Sequence, residues 1–361
     1  MKVGILTFSA AHNFGAVLQC YGLFKSIESM GHEVEVIDYR PKYLATYEPK
    51  FGWRQVVSRH LLSLPARIKT YSYWRGIYDR YINFKSGNMK QTEPIETVDQ
   101  FCKVASKFDM IVVGSDQVWN PGFNGGDKVW YGAVPVDVKW VTYAASAGNI
   151  ERWMSDAACL PELLSNFQAI SVREPELAEA VHNLSPDIDL PPTVLDPSLL
   201  GNDRIWDRWK KPVEKKDYIL TYQARESDDV FRIAEALKDQ LNCKEIIPID
   251  FYENVNRHHY KTRVASPEDF ISLVANARCV VTTSFHGTAF SIILETPFYT
   301  LKLDDGADGR AENLLKNVGL EDRLIRHNST PEFAAIDFSS AKRELGKMRG
   351  ESLDYLSRVF S

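Results

Sequence analysis

The chain has 361 residues, 44% of them hydrophobic and 25% charged, and a formal net charge of −5. That length exceeds one ordinary core and suits two α/β domains in a globular protein. The acidic balance gives no global basic field for nucleic acid, so any anionic ligand has to be met by local groups. No apolar run approaches the ~18 residues that span a bilayer. The start, MKVGILTFSA, lacks the basic region and long apolar core of a signal peptide and reads as a first strand. Five cysteines without a CxxC pair point to reduced thiols and a cytoplasmic setting.

In chain order, residues 2–8 form an apolar strand, residues 17–29 an amphipathic helix ending at Gly31, and residues 34–39 a second strand. This β-loop-α-β opening predicts a parallel sheet with right-handed crossovers. Residues 51–90 interrupt the rhythm. There Tyr71, Trp74, Tyr78 and Tyr81 recur at helical spacing, a pattern that more often packs a helix than holds a sugar. Strands follow at 110–113, 140–146 and 169–174, and VLDPSLL (194–200) closes the first half. The charged, Trp-rich segment 201–216 is the candidate connection. A second α/β run then starts at 218–223, with a helix at 228–241, a strand at 245–249, a helix at 267–277 and a strand-turn-helix around TTSFHGTAF (282–290). A last amphipathic segment, 340–360, has no place in the second sheet. The fold class is α/β with two doubly wound Rossmann-like domains, 1–205 and 215–335. In such sheets ligands bind beyond the carboxyl ends of the strands.

Several chemistry-bearing residues follow strands directly. In TTSFHGTAF, the first amides of the new helix form an anion site with the helix dipole. Gly287 permits close backbone approach, Ser284 and Thr288 carry hydroxyls, and His286 can donate a hydrogen bond or a proton. The plainer alternative makes Ser284 an N-cap and His286 a core residue. In GSDQVWNPG (114–122), Asp116 can accept a proton from a sugar hydroxyl and Trp119 can stack on a sugar face. Equally, Asp116 caps the next turn and Trp119 fills space. The loop SAAHNFGAVLQ (9–19) lacks GxGxxG spacing, which excludes a nicotinamide fingerprint. Its His12 and Asn13 face the ligand, or Asn13 caps the helix. Arg173 in SVREPE suits carboxylate or phosphate, unless it merely pairs with a neighbouring glutamate. Arg225 has the same logic with less support, and Arg310 opens a helix after GADG. Asp304, Asp305 and Asp308 lack calcium-loop spacing and read as a solvated loop; His258 and His259 read as surface.

Taken together, GILTFSAAHNFGAVLQCYGL, DMIVVGSDQVWNP, VTYAASAG, ISVRE, VLDPSLL, TTSFHGTAFSIILETPF and RAENLLKNVGLEDR resemble the polysaccharide pyruvyl transferase family over roughly residues 1–325. The resemblance implies a GT-B-like fold, with two Rossmann-like domains facing a cleft and a C-terminal helix (340–361) packing back onto the first domain. It implies transfer of the enolpyruvyl group of phosphoenolpyruvate onto a sugar of a cell-surface polysaccharide or its precursor, with no metal or redox cofactor. His286 and Asp116 then take catalytic roles. Ser284, Gly287, Thr288, Arg173 and Arg310 hold the donor anion; His12, Asn13 and Trp119 meet the acceptor. In characterised members the position two before the histidine is often an arginine; here it is Ser284, so the donor's charge falls to Arg173, Arg310 and the helix amides. The competing readings are a glycosyltransferase using a nucleotide-sugar and a non-catalytic carbohydrate-binding relative.

Overall fold

The computed structural model describes residues 1–44, 64–201, 203–212, 217–249, 262–304 and 308–361. His258, His259 and Asp305 lie outside the described residues, as do the side chains of Tyr71 and Trp74. The chain divides into two compact units, Met1–Leu200 with Glu351–Ser361, and Gly201–Gly350.

In the first unit, β1 (Lys2–Leu6), β2 (Glu33–Val36), β3 (Met110–Val113) and β4 (Lys139–Thr142) form a parallel sheet in the order β2-β1-β3-β4. Val3 pairs with Val34 on one side and Met110 on the other. The strands are nearly continuous apolar runs because helices cover both faces of a parallel sheet; every residue of β3 is buried. Helix α1 (Phe14–Ser29) starts three residues earlier than its apolar pattern predicts and is buried almost all round rather than along one stripe. The reason is a close approach: a Cβ on Gly22 would stand 2.3 Å from the Pro197 carbonyl oxygen. Helix α2 (Leu64–Asn88) buries Tyr81 and Phe84. Helix α3 (Val98–Ala105) opens with a Thr97–Gln100 capping box, and α4 (Pro175–Leu184) with a proline in its first turn. Residues 169–174, expected as a strand, make only isolated bridges, Ala169 with Val141 and Val172 with both Ala145 and Thr193.

The second unit contains β5 (Tyr218–Tyr222), α5 (Asp228–Leu241), β6 (Glu245–Pro248), α6 (Pro267–Asn276), β7 (Cys279–Thr282), α7 (Phe285–Ile293), β8 (Phe298–Lys302), α8 (Gly309–Val318) and β9 (Leu324–Arg326). Its parallel sheet runs β6-β5-β7-β8-β9; β8 and β9 extend it beyond the strands read from the sequence. Helix α9 (Ser339–Phe360) ends the chain, and its last turns belong to the first unit. There the Tyr355 hydroxyl donates to the Thr142 carbonyl at 2.9 Å, and the Ser352 hydroxyl accepts from the Leu195 amide at 3.0 Å. These bonds anchor the segment that had no place in the second sheet.

Both sheets reverse their strand order at one point, between β1 and β3 in the first and between β5 and β7 in the second. Loops leaving neighbouring strands there diverge and leave a crevice at the carboxyl ends. His12, Asp116, Arg225 and the turn at Ser284 follow β1, β3, β5 and β7. All five cysteines are free. Among the described residues no helix is long and apolar enough to cross a membrane.

Candidate active site

In the first unit the motif loops join through one buried arginine. Arg173 donates from Nη1 to Asp196 Oδ2 at 2.8 Å and from Nε to Glu174 Oε1 at 3.2 Å. Its side chain is 5% exposed. Burial works against its charge, yet Glu174, Asp196 and Asp116 outweigh burial and hold its pKa above the ordinary arginine value. The expected pairing with Glu174 is present, but it is buried, and it includes Asp196. The pairing alternative is thus the one the geometry shows for this guanidinium.

Asp116 follows β3 in the left-handed backbone region, φ 73°, a conformation that costs a non-glycine residue of order 1 kcal/mol or more. Its Oδ1 accepts from the Gln117 amide at 2.8 Å, and its carbonyl accepts from the amides of Val118 and Ser146. The carboxylate therefore caps the next turn while the residue stays half-buried. Trp119, three residues on, is fully buried. It stacks on Tyr131 and Trp153, with ring planes within 7° and 11° of parallel, and its Nε1 donates to the Trp130 carbonyl. Its indole is fully buried against these rings, which is the space-filling alternative.

The β1–α1 loop gives Asn13 and His12 partners within the first unit. Asn13 caps α1, its side-chain oxygen accepting from the Ala16 amide at 3.3 Å. The His12 ring packs against Tyr78 and Tyr81, at centroid distances of 4.9 and 5.6 Å. Burial, helped by the charges of Lys85 and Arg40, pushes its pKa down to about 4.

In the second unit the turn after β7 collects the remaining residues. Ser284 is the N-cap of α7 in extended conformation, and its hydroxyl does not cap the helix. Its amide donates to Thr282 Oγ1. The first intrahelical bond runs from the Thr288 amide to the Ser284 carbonyl at 3.0 Å. Thr288 therefore leaves the predicted anion-binding set, since its hydroxyl is also engaged, with Thr300 at 2.6 Å. The amides of the preceding turn, Gly287 included, remain outside the intrahelical ladder. Gly287 has a packing reason of its own: a Cβ there would lie 2.2 Å from Thr282 Oγ1, so glycine lets α7 sit tight on β7. His286 occupies the second helical position, 7% exposed, its ring edge-on to Phe285.

Two arginines reach this turn. Arg310, near the start of α8, places its guanidinium 6.0 Å from the Phe285 ring centroid. Arg225, in the loop after β5, donates from Nη2 to the Thr283 carbonyl at 3.3 Å and to Asp308 Oδ1 at 2.6 Å. Its backbone exchanges two further bonds with the Thr283 hydroxyl. Asp308 is not part of a solvated loop: it is 6% exposed, precedes α8 at the N-cap position without a side-chain bond to that helix, and accepts from the amides of Leu303 and Asp304. Sequence reasoning undervalued Arg225 and Asp308, and it gave no role to Ser146 or Asp196. The available signal was position alone, since each sits shortly beyond a strand end or inside a quoted motif.

The model of the polysaccharide pyruvyl transferase family matches residues 13–305, and the chain belongs to that family. Among solved structures it is similar to a UDP-GlcNAc 2-epimerase from Neisseria meningitidis bound to UDP-GlcNAc, at 8% identity and TM-score 0.49, covering 100% of this chain and 99% of that one. It is also similar to the Methanocaldococcus jannaschii UDP-GlcNAc 2-epimerase in complex with UDP-GlcNAc and UDP, at 14% identity and TM-score 0.48, with 100% and 99% coverage. A third is the glycosyltransferase SnogD from Streptomyces nogalater, at 10% identity and TM-score 0.46, with 98% and 95% coverage. No curated protein matches the chain.

Proposed function

We propose that this member of the polysaccharide pyruvyl transferase family moves the enolpyruvyl group of phosphoenolpyruvate onto a sugar of a cell-surface polysaccharide or its precursor, closing a pyruvate ketal across two hydroxyls. The observation that carries the reading is the turn after β7, where His286 opens a helix and both Arg225 and Arg310 approach. Phosphoenolpyruvate presents a phosphate and a carboxylate. Guanidinium groups and helix-start amides are the groups that bind such anions. Arg225 also answers the serine at position 284, because it brings a guanidinium to Thr283 from a different strand end.

The chemistry assigns each residue one task. His286 protonates the methylene carbon as a general acid, leaving positive charge at C2. A sugar hydroxyl adds to C2 while Asp116 accepts its proton. The C2–O bond to phosphate then breaks, the phosphate departs with a proton as hydrogen phosphate, and the second hydroxyl closes the ring. The methyl group and the phosphate together carry the two protons that the hydroxyls lose. The reading is tested by thermal shift with phosphoenolpyruvate and with a nucleotide-sugar panel. A ligand at 100 times its dissociation constant adds about 2.7 kcal/mol of stability. Stabilisation by phosphoenolpyruvate, followed by phosphate release when acceptor sugars are added, is the expected result. Stabilisation by a nucleotide-sugar alone would replace this function with glycosyl transfer.

A further inference from the structure

Asp116 is tied from both sides to the carboxylates that grip Arg173. The hydroxyl of the preceding residue, Ser115, donates to Asp196 Oδ2 at 3.4 Å, the same oxygen that accepts from Arg173 Nη1 at 2.8 Å. On the other side, the Ser146 amide donates to the Asp116 carbonyl at 3.2 Å, and the Ser146 hydroxyl donates to Glu174 Oε1 at 2.7 Å. Glu174 Oε1 also accepts from Arg173 Nε. Asp196 is pinned in turn by the amide and hydroxyl of Ser198, at 3.0 and 2.8 Å. The three loops after β3, β4 and residue 172 thus converge on one guanidinium, and the charged groups assembled around it are Asp196, Glu174 and Asp116.

We propose that Arg173 is a positioning residue for Asp116: by gripping Asp196 and Glu174 it holds the backbone on both sides of the residue whose carboxylate accepts the proton of the acceptor hydroxyl. The proton-accepting role rests on the function proposed above; the clamp itself rests on these bonds.

The test reads the loop and the turnover separately. Arg173→Met should shift the amide resonances of Val118 and Ser146, which bond to the Asp116 carbonyl, and with phosphoenolpyruvate as donor it should lower kcat about tenfold or more while the donor KM holds. Arg173→Lys, which keeps the charge, should recover part of both. If Arg173→Met does not fold, Glu174→Gln, which weakens one side of the grip, decides alone. Unchanged amide resonances and kcat in the folded variants overturn the proposal. Shifted resonances in a protein that never turns over phosphoenolpyruvate would uphold the clamp and remove the proposed donor, so the two failures are distinct.

Discussion

Arg225 and Asp308 close a 2.6 Å salt bridge between residues 83 positions apart, one in the loop after β5 and the other at the cap of α8. The carboxylate is buried and serves two backbone amides as well. It fixes the arginine beside Thr283, at the turn that opens α7. Replacing Asp308 by Asn should therefore cost about 2–3 kcal/mol, since bonds to a charged group are worth ~1.5–3 kcal/mol and the arginine loses its counter-charge. Denaturant unfolding measures the loss. A change below about 0.5 kcal/mol, the range of an ordinary surface substitution, would contradict the account.

His286→Gln separates proton donation from binding. If His286 delivers the proton, kcat should fall by roughly 10²–10⁴-fold with the donor KM little changed. Saturating-donor rates across pH 5–9, set beside wild type, are the measurement. A raised KM with intact kcat would reassign the residue to donor binding.

Trp119 should behave as a core residue. Trp119→Ala removes a fully buried side chain stacked with Tyr131 and Trp153 and should cost about 3–5 kcal/mol. Trp119→Phe should keep most of the stability and leave the acceptor KM within about twofold of wild type. A large acceptor effect in the phenylalanine variant would return Trp119 to the binding surface.

His12 predicts an acid-side stability loss. Burial first, then Lys85 and Arg40, hold it neutral down to about pH 4, whereas in the unfolded chain it titrates near pH 6.5. Below that pH the unfolded state takes up a proton that the folded state refuses. The contribution is thus fully present above pH 6.5 and lost as pH falls towards 4, by an amount on the order of 3 kcal/mol. His12→Phe should flatten the stability profile in that window. An unchanged slope between pH 6.5 and 4 would show that the ring is not held neutral.

The sequence by itself determined the class of the fold and the place where chemistry could sit. Apolar runs such as Met110–Val113 and Cys279–Val281 specify buried parallel strands, because only strands covered on both faces omit polar alternation. A strand running into Ser284 and then an apolar helix specifies a helix start, because those amides precede the first intrahelical bond. Both are local properties, readable within a dozen residues. Only the tertiary structure decided what each side chain does there. Arg173 looked available for an anion until Asp196, 23 residues away, was brought to 2.8 Å. Trp119 looked able to stack on a sugar until Tyr131 and Trp153 packed against it in the core. Asp308 looked solvated until it met Arg225. Charge pairing and burial are set by whichever distant loop the chain delivers to the same strand end, and no local pattern of residues encodes that partner.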